Sequence, residues 1–126
     1  MTKNYSDLIG KPFGRMGRGP DAYDCWGLVM EMLRRDGIQP KDYGWADEAV
    51  ARQAMMQGAI QTHWERLNGP SPGAVALFRI GRFCSHVGYI IEGNKFIHAW
   101  EKTGVTTEWL GMDWQKRLEG CYKYVG

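Results

Sequence analysis

The stretch Asp24-Cys25-Trp26-Gly27-Leu28-Val29 constrains this chain most, because it reads as the start of a helix with a thiol in its first turn. Cys25, Leu28, Val29, Met32 and Leu33 recur at i, i+3, i+4, i+7 and i+8, which predicts one apolar stripe of an α-helix over residues 25–36. Glu31, Arg34, Arg35 and Asp36 fall off that stripe and can face water. Asp24 is a preferred N-cap type, since its short carboxylate accepts from the free N–H groups of the first turn. Gly37 supplies the stop. The pattern puts Cys25 in the first turn and toward the core. A cysteine on an apolar stripe is ordinarily a small buried hydrophobe. To be a nucleophile it needs more than the helix dipole, because the Asp24 charge opposes thiolate formation. A basic partner must come from elsewhere in the chain.

The remaining elements follow in order. Residues 1–9 read as a short amphipathic turn carrying Tyr5, Leu8 and Ile9, and residues 10–23 as a Gly/Pro-broken loop with Arg15 and Arg18 on its edge. Ala46, Val50 and Ala54 recur every four residues and predict a second helix over residues 45–57. His63 has no partner at a telling spacing and is read as a surface residue. The breaker cluster Asn68-Gly69-Pro70-Ser71-Pro72-Gly73 then divides a helical half from a strand-like half. Strands are expected over residues 74–79, 85–91, 96–100, 105–109 and 120–125, with hairpin chemistry at Gly93-Asn94. Helices first and a strand meander after them predict an α+β domain spanning residues 1–126, its N-terminal helices packed on one face of a roughly five-stranded antiparallel sheet.

Composition narrows the function classes. The chain has 126 residues, 44% of them hydrophobic and 24% charged, and no apolar run long enough to span a bilayer, so membrane insertion is not expected. A net charge of +2 gives no footprint for nucleic acid. No basic segment followed by an apolar stretch opens the chain, so an export signal is not expected. Three widely spaced cysteines suit neither a disulfide framework nor a zinc ribbon. A Cys25/Cys84/His86 metal site lacks a short ligand pair to complete it, so no metal and no cofactor is expected. Cys121 falls in the last strand and reads as core.

The basic partner is on the strand half. His86 and His98 both lie in strand-like runs that one hairpin can bring together. His86 would take the proton from Cys25, and His98 would hold the first imidazole in the right tautomer. Strand parity makes this testable. A plain two-residue Gly93-Asn94 loop pairs Tyr89 with His98 and points the histidines to opposite faces. An odd-length loop centred on Gly93, or a bulge restoring the same parity, pairs Gly88 with His98 and makes His86 its diagonal neighbour. Gly88 would leave room beside the His98 ring. A helix start plus an imidazole should also give Cys25 the lowest pKa of the three thiols.

Four blocks in this order, Asp24-Cys25-x-Gly27-Leu28-Val29, Pro72-Gly73-Ala74-Val75-Ala76-Leu77-Phe78, His86-Val87-Gly88-Tyr89-Ile90 and Phe96-Ile97-His98-Ala99, resemble the NlpC/P60 family of papain-like cysteine peptidases. The resemblance runs from about Pro12 to the C-terminus. It implies a papain-like fold, a peptidase acting on peptidoglycan stem peptides at the γ-D-Glu bond, and Cys25, His86 and His98 as the catalytic set. Tyr23, Asp24, Trp26 and Ser85 are the expected substrate-binding neighbours. Trp26 stands where the family commonly has serine, although bulky residues occur there in phage-type members, and the long span between Cys25 and the sheet marks the second helix as an insertion. The bare domain is similar to peptidases of phage tails and prophage-derived particles. That implies phage tail proteins as partners and a virion-associated enzyme, made in the cytoplasm and acting in the periplasm or cell wall. A tail assembly subunit that uses the fold for docking, and an amidase or acyltransferase of the same superfamily, are the alternatives.

Overall fold

A computed structural model describes residues 4–44, 46 and 48–126. The expected N-terminal turn therefore lies partly outside the described residues, as does Trp45 at the expected start of the second helix. Helix α1 (Cys25–Arg35) begins where the stripe predicts, and Leu28, Val29, Met32 and Leu33 are 0 to 1% exposed. Burying each of these contributes about 1.5–3 kcal/mol, so α1 is fixed by its apolar face more than by helix propensity. Asp24 is the N-cap, accepting from the Gly27 N–H.

Helix α2 (Ala49–His63) lies several residues downstream of its predicted span and turns a different face inward. Val50 is 52% exposed and Ala54 is exposed, while Met56 is buried and Ile60 packs against the core. Spacing alone therefore picked the wrong face of α2, whose low amphipathicity left the choice to its contacts with the sheet. His63 ends the helix half-buried, its ring stacked on Tyr124 and tilted against Tyr43, so the surface reading is corrected.

The sheet has six strands, all antiparallel, in the order β1-β6-β2-β3-β4-β5. They are β1 (Trp64–Leu67), β2 (Val75–Ile80), β3 (Phe83–Glu92), β4 (Lys95–Trp100), β5 (Gly104–Trp109) and β6 (Leu118–Tyr124). The strand the sequence reading missed is β1, four residues at the sheet edge that follow α2 directly. Short edge strands carry little pattern, which is why the expected five become six.

The two sheet faces are covered differently. Val75, Leu77, Val87, Tyr89, Ile97 and Val105 pack with α1 and with Met56 of α2. Ala76, Phe78, Ile90 and Phe96 pack on the other face with Trp114 of the short helix α3 (Met112–Arg117). The N-terminal helices do share one face as expected. The unforeseen α3 closes the opposite one, and that is the face on which the histidines stand.

Candidate active site

The thiol is positioned by a braced helix start. Asp24 is 1% exposed, and its carboxylate accepts from the Gly27 N–H at 2.6 Å and from Arg18 Nη1 at 2.8 Å on each oxygen. Arg18 is held in turn by Asp42 at 2.9 and 3.1 Å. The loop ahead of α1 lies against the helix: the Asp24 N–H donates to the Gly17 carbonyl, and a Cβ at Gly27 would meet that same oxygen at 2.0 Å. Gly27 is thus required by close backbone approach rather than by flexibility.

The histidines meet as the parity argument requires. The turn at Gly93-Asn94 is the short one, with Glu92 opposite Lys95, but a bulge at Ile91 shifts the register so that Ile90 pairs with Phe96 and Tyr89 with Ile97. Continuing that register sets Gly88 opposite His98 and makes His86 its diagonal neighbour. His86 Nε2 lies 2.7 Å from His98 Nδ1. A Cβ at Gly88 would come within 2.9 Å of the Phe96 ring and 3.5 Å of His98 Cβ, so this glycine leaves the space the pair occupies.

On the α1 side, the Val87 N–H turns to the Cys25 sulfur, so β3 holds the thiol through Val87 and carries His86 one residue before it. A second bulge, in which Phe78 pairs with His86 but Arg79 with Cys84, makes Ser85 the extra residue. It turns Cys84 into the α1-side core, away from His86. Among the described residues no three His, Cys, Asp or Glu side chains group as metal ligands. Cys121 is buried in the core as expected.

Cys25, His86, Asp24 and Ser85 line one open cleft of about 540 Å³, walled also by Phe13, Met16, Arg52 and Trp100. Tyr23 and Trp26 do not. Tyr23 faces a separate hollow with Arg18 and Arg35, and Trp26 faces an apolar cavity of about 50 Å³ with Tyr43, Met56 and Trp64. The helical turn carries Trp26 to another side of α1, whereas Tyr23 precedes the Asp24 cap and is held in the loop by bridges to Phe13 and Arg18. Asp24 reaches the cleft, but its carboxylate is taken up by the cap and by Arg18.

Burial governs the charge states. Burial pushes the Cys25 thiol up to about 12, with Asp24 adding to the rise and the Val87 N–H and Arg52 opposing it. Burial likewise holds His86 well below the ordinary histidine range, helped by His98, Arg52 and Arg117. The expectation of a lowered Cys25 pKa is therefore corrected: burial outweighs the Val87 N–H and Arg52, and it favours the neutral forms of both Cys25 and His86. Around the histidines the burial comes from aromatic rings. Trp100 stands 4.8 Å edge-on from His86, and Phe96 and Trp114 stand 4.8 and 5.1 Å from His98.

The sequence reading did not find Glu108, whose Oε2 lies 2.8 Å from His98 Nε2 while its Oε1 accepts from Trp114 Nε1 at 3.0 Å. Nor did it find Arg52, which comes from α2 to donate to the Ser85 and Ala46 carbonyls at 3.3 and 2.8 Å. Strand parity offers a signal for Glu108, since β5 pairs His98 with Thr106 and Glu108 lies two residues on along the same face. That register depends on a turn whose length the sequence does not announce.

The model of the NlpC/P60 family matches residues 10–122, most of the chain and all of this site. The chain belongs to the NlpC/P60 family. Among curated NlpC/P60-type relatives, it is 27% identical over 114 residues to a probable endopeptidase p60 of Listeria innocua and 26% identical over 113 residues to one of Listeria grayi. Each match covers 89% of this chain but only 22% and 20% of the relative, so the chain spans about a fifth of their length. Solved structures share the fold. The NlpC/p60 domain of the peptidoglycan hydrolase SagA is 20% identical, with a TM-score of 0.61 over 94% of this chain and 91% of that one. NlpC2 of Trichomonas vaginalis is 18% identical, with a TM-score of 0.66 over 94% of this chain and 44% of that one.

Proposed function

We propose that this NlpC/P60 domain is a cysteine peptidase that cuts peptidoglycan stem peptides at the γ-D-Glu bond. The observation that carries the reading is His86 sharing one cleft with a thiol at a helix start, backed at 2.7 Å by the buried His98. As the substrate carbonyl approaches, Cys25 passes its proton to His86 and its sulfur bonds the carbonyl carbon. His98 Nδ1, accepting from His86 Nε2, supports the imidazolium. The Cys25 backbone N–H is among the first-turn donors an α-helix leaves unpaired, and it faces the developing oxyanion. His86 then protonates the leaving amine, a water deprotonated by His86 attacks the thioester, and the thiol is regenerated. Displacement of water by the substrate strengthens each of these polar contacts.

The names of the relatives support peptidoglycan as substrate: SagA is a peptidoglycan hydrolase, and the Listeria proteins are probable endopeptidases. We further propose delivery by a phage or prophage-derived particle, with tail proteins as partners and the periplasm or wall as the site of action. Purified protein is expected to release fragments from muropeptides, read by mass spectrometry, and Cys25→Ala to release none. Equal release by both would sink the peptidase reading. Particles carrying Cys25→Ala should assemble normally but fail to penetrate the wall; full infectivity would favour a docking role.

A further inference from the structure

We infer that Glu108 is a positioning residue that sets the tautomers of both histidines and so makes His86 Nδ1 the basic nitrogen of the site. The inference rests on the cysteine-peptidase reading above. A carboxylate only accepts hydrogen bonds. Glu108 faces two ring nitrogens, one on each oxygen: Trp114 Nε1 at 3.0 Å, which can only donate, and His98 Nε2 at 2.8 Å. His98 therefore carries its proton on Nε2. Its Nδ1 then holds a lone pair, and at 2.7 Å it requires a donor from His86 Nε2. With Nε2 protonated, neutral His86 has its lone pair on Nδ1, the nitrogen His98 does not use. The same polarity serves the next stage, because imidazolium His86 still donates through Nε2 to an accepting His98. His98 is 0% exposed and Glu108 33%, so the relay runs from the buried pair outward to a carboxylate at the surface of β5.

Glutamine at position 108 separates this role from mere packing. Glu108→Gln keeps the shape but offers one acceptor and one donor. With its oxygen on Trp114, its amide N–H faces His98 Nε2 and reverses every proton in the chain: His98 holds Nδ1–H, His86 accepts at Nε2, and His86 Nδ1 is protonated and no longer a base. With the amide turned round, its N–H opposes the Trp114 N–H. Trp114→Phe removes that opposing donor and lets the glutamine oxygen face His98 again.

The test uses the full chain and three variants, Glu108→Gln, Trp114→Phe and the double variant. Readouts are kcat and KM on a stem peptide, the rate of Cys25 alkylation by iodoacetamide, and histidine ring tautomers by long-range ¹H–¹⁵N NMR. Removing an outer partner of a functional imidazole typically costs about 10–100-fold. Glu108→Gln should lower kcat and the alkylation rate at least about tenfold with KM nearly unchanged, and its histidine signals should report Nδ1–H. Trp114→Phe alone should keep the wild-type Nε2–H signals and sets the reference rate, and the double variant should regain Nε2–H signals and approach that reference rate. Wild-type tautomers in Glu108→Gln, or rates within about twofold of wild type, would overturn the inference, as would a double variant whose signals return while its rate does not. Tautomers and alkylation need no substrate. If the wild type cuts no stem peptide, the peptidase reading fails while these two readouts still decide the role of Glu108.

Discussion

Removing the Asp24 carboxylate should loosen the whole thiol-bearing end of α1. In Asp24→Ala the helix loses its cap to the Gly27 N–H, which costs about 1 kcal/mol. Arg18 also loses a charge-assisted contact to both carboxylate oxygens. Such a contact is worth about 1.5–3 kcal/mol when the groups are largely buried, and the two side chains are 21% and 1% exposed. Arg18 keeps Asp42, so the full cost of a stranded buried charge does not apply. The sum is about 2.5–4 kcal/mol. Urea unfolding should show it as a midpoint lower by about 1.2–2 M at unchanged slope, taking a slope of about 2 kcal/mol/M. Asp24→Asn keeps an acceptor for the cap but turns an amide toward Arg18, and should recover about 1 kcal/mol of the loss. The pair is buried, so salt should change these differences little. A loss below about 1 kcal/mol for Asp24→Ala, or equal losses for alanine and asparagine, would refute the reasoning.

Two further outcomes follow from the same geometry. Gly27→Ala puts a methyl 2.0 Å from the Gly17 carbonyl, a contact neither backbone can relieve without parting loop from helix; a cost above about 3 kcal/mol is expected, and a thermal midpoint within about 3 °C of wild type would contradict it. Stability should rise with pH through the window below the ordinary histidine pKa near 6.5. Burial depresses His86, so between its folded pKa and about 6.5 the unfolded chain binds the extra proton; the stabilisation is complete above about 6.5 and is lost as pH falls toward the folded value. One such group contributes a slope of at most about 1.4 kcal/mol per pH unit. His86→Ala should flatten the pH 5–7 dependence of the unfolding free energy from urea titrations by up to that amount, and an unchanged slope would count against it.

The sequence by itself determined the elements with strong period and chemistry. The start of α1, its cap and its buried stripe were legible because Asp24, Gly27 and five spaced apolar residues act within one or two turns of chain. Parity required His86 and His98 to meet only through an odd loop or a bulge, and the bulge at Ile91 is how they do. What stayed hidden depends on contacts distant along the chain. The inward face of α2 was chosen by the sheet and not by its own weak pattern. Tyr23 and Trp26 flank the Asp24-Cys25 pair in sequence, but loop bridges to Phe13 and Arg18 hold Tyr23, and helix geometry turns Trp26, out of the cleft. The sign of the Cys25 shift was decided by burial of the thiol in the core that α1 shares with the sheet. Glu108 reaches His98 across a strand register set by a remote turn. A residue's local period is carried by its nearest neighbours in the chain, whereas its solvent, its proton and its partners are set by whatever the fold brings against it.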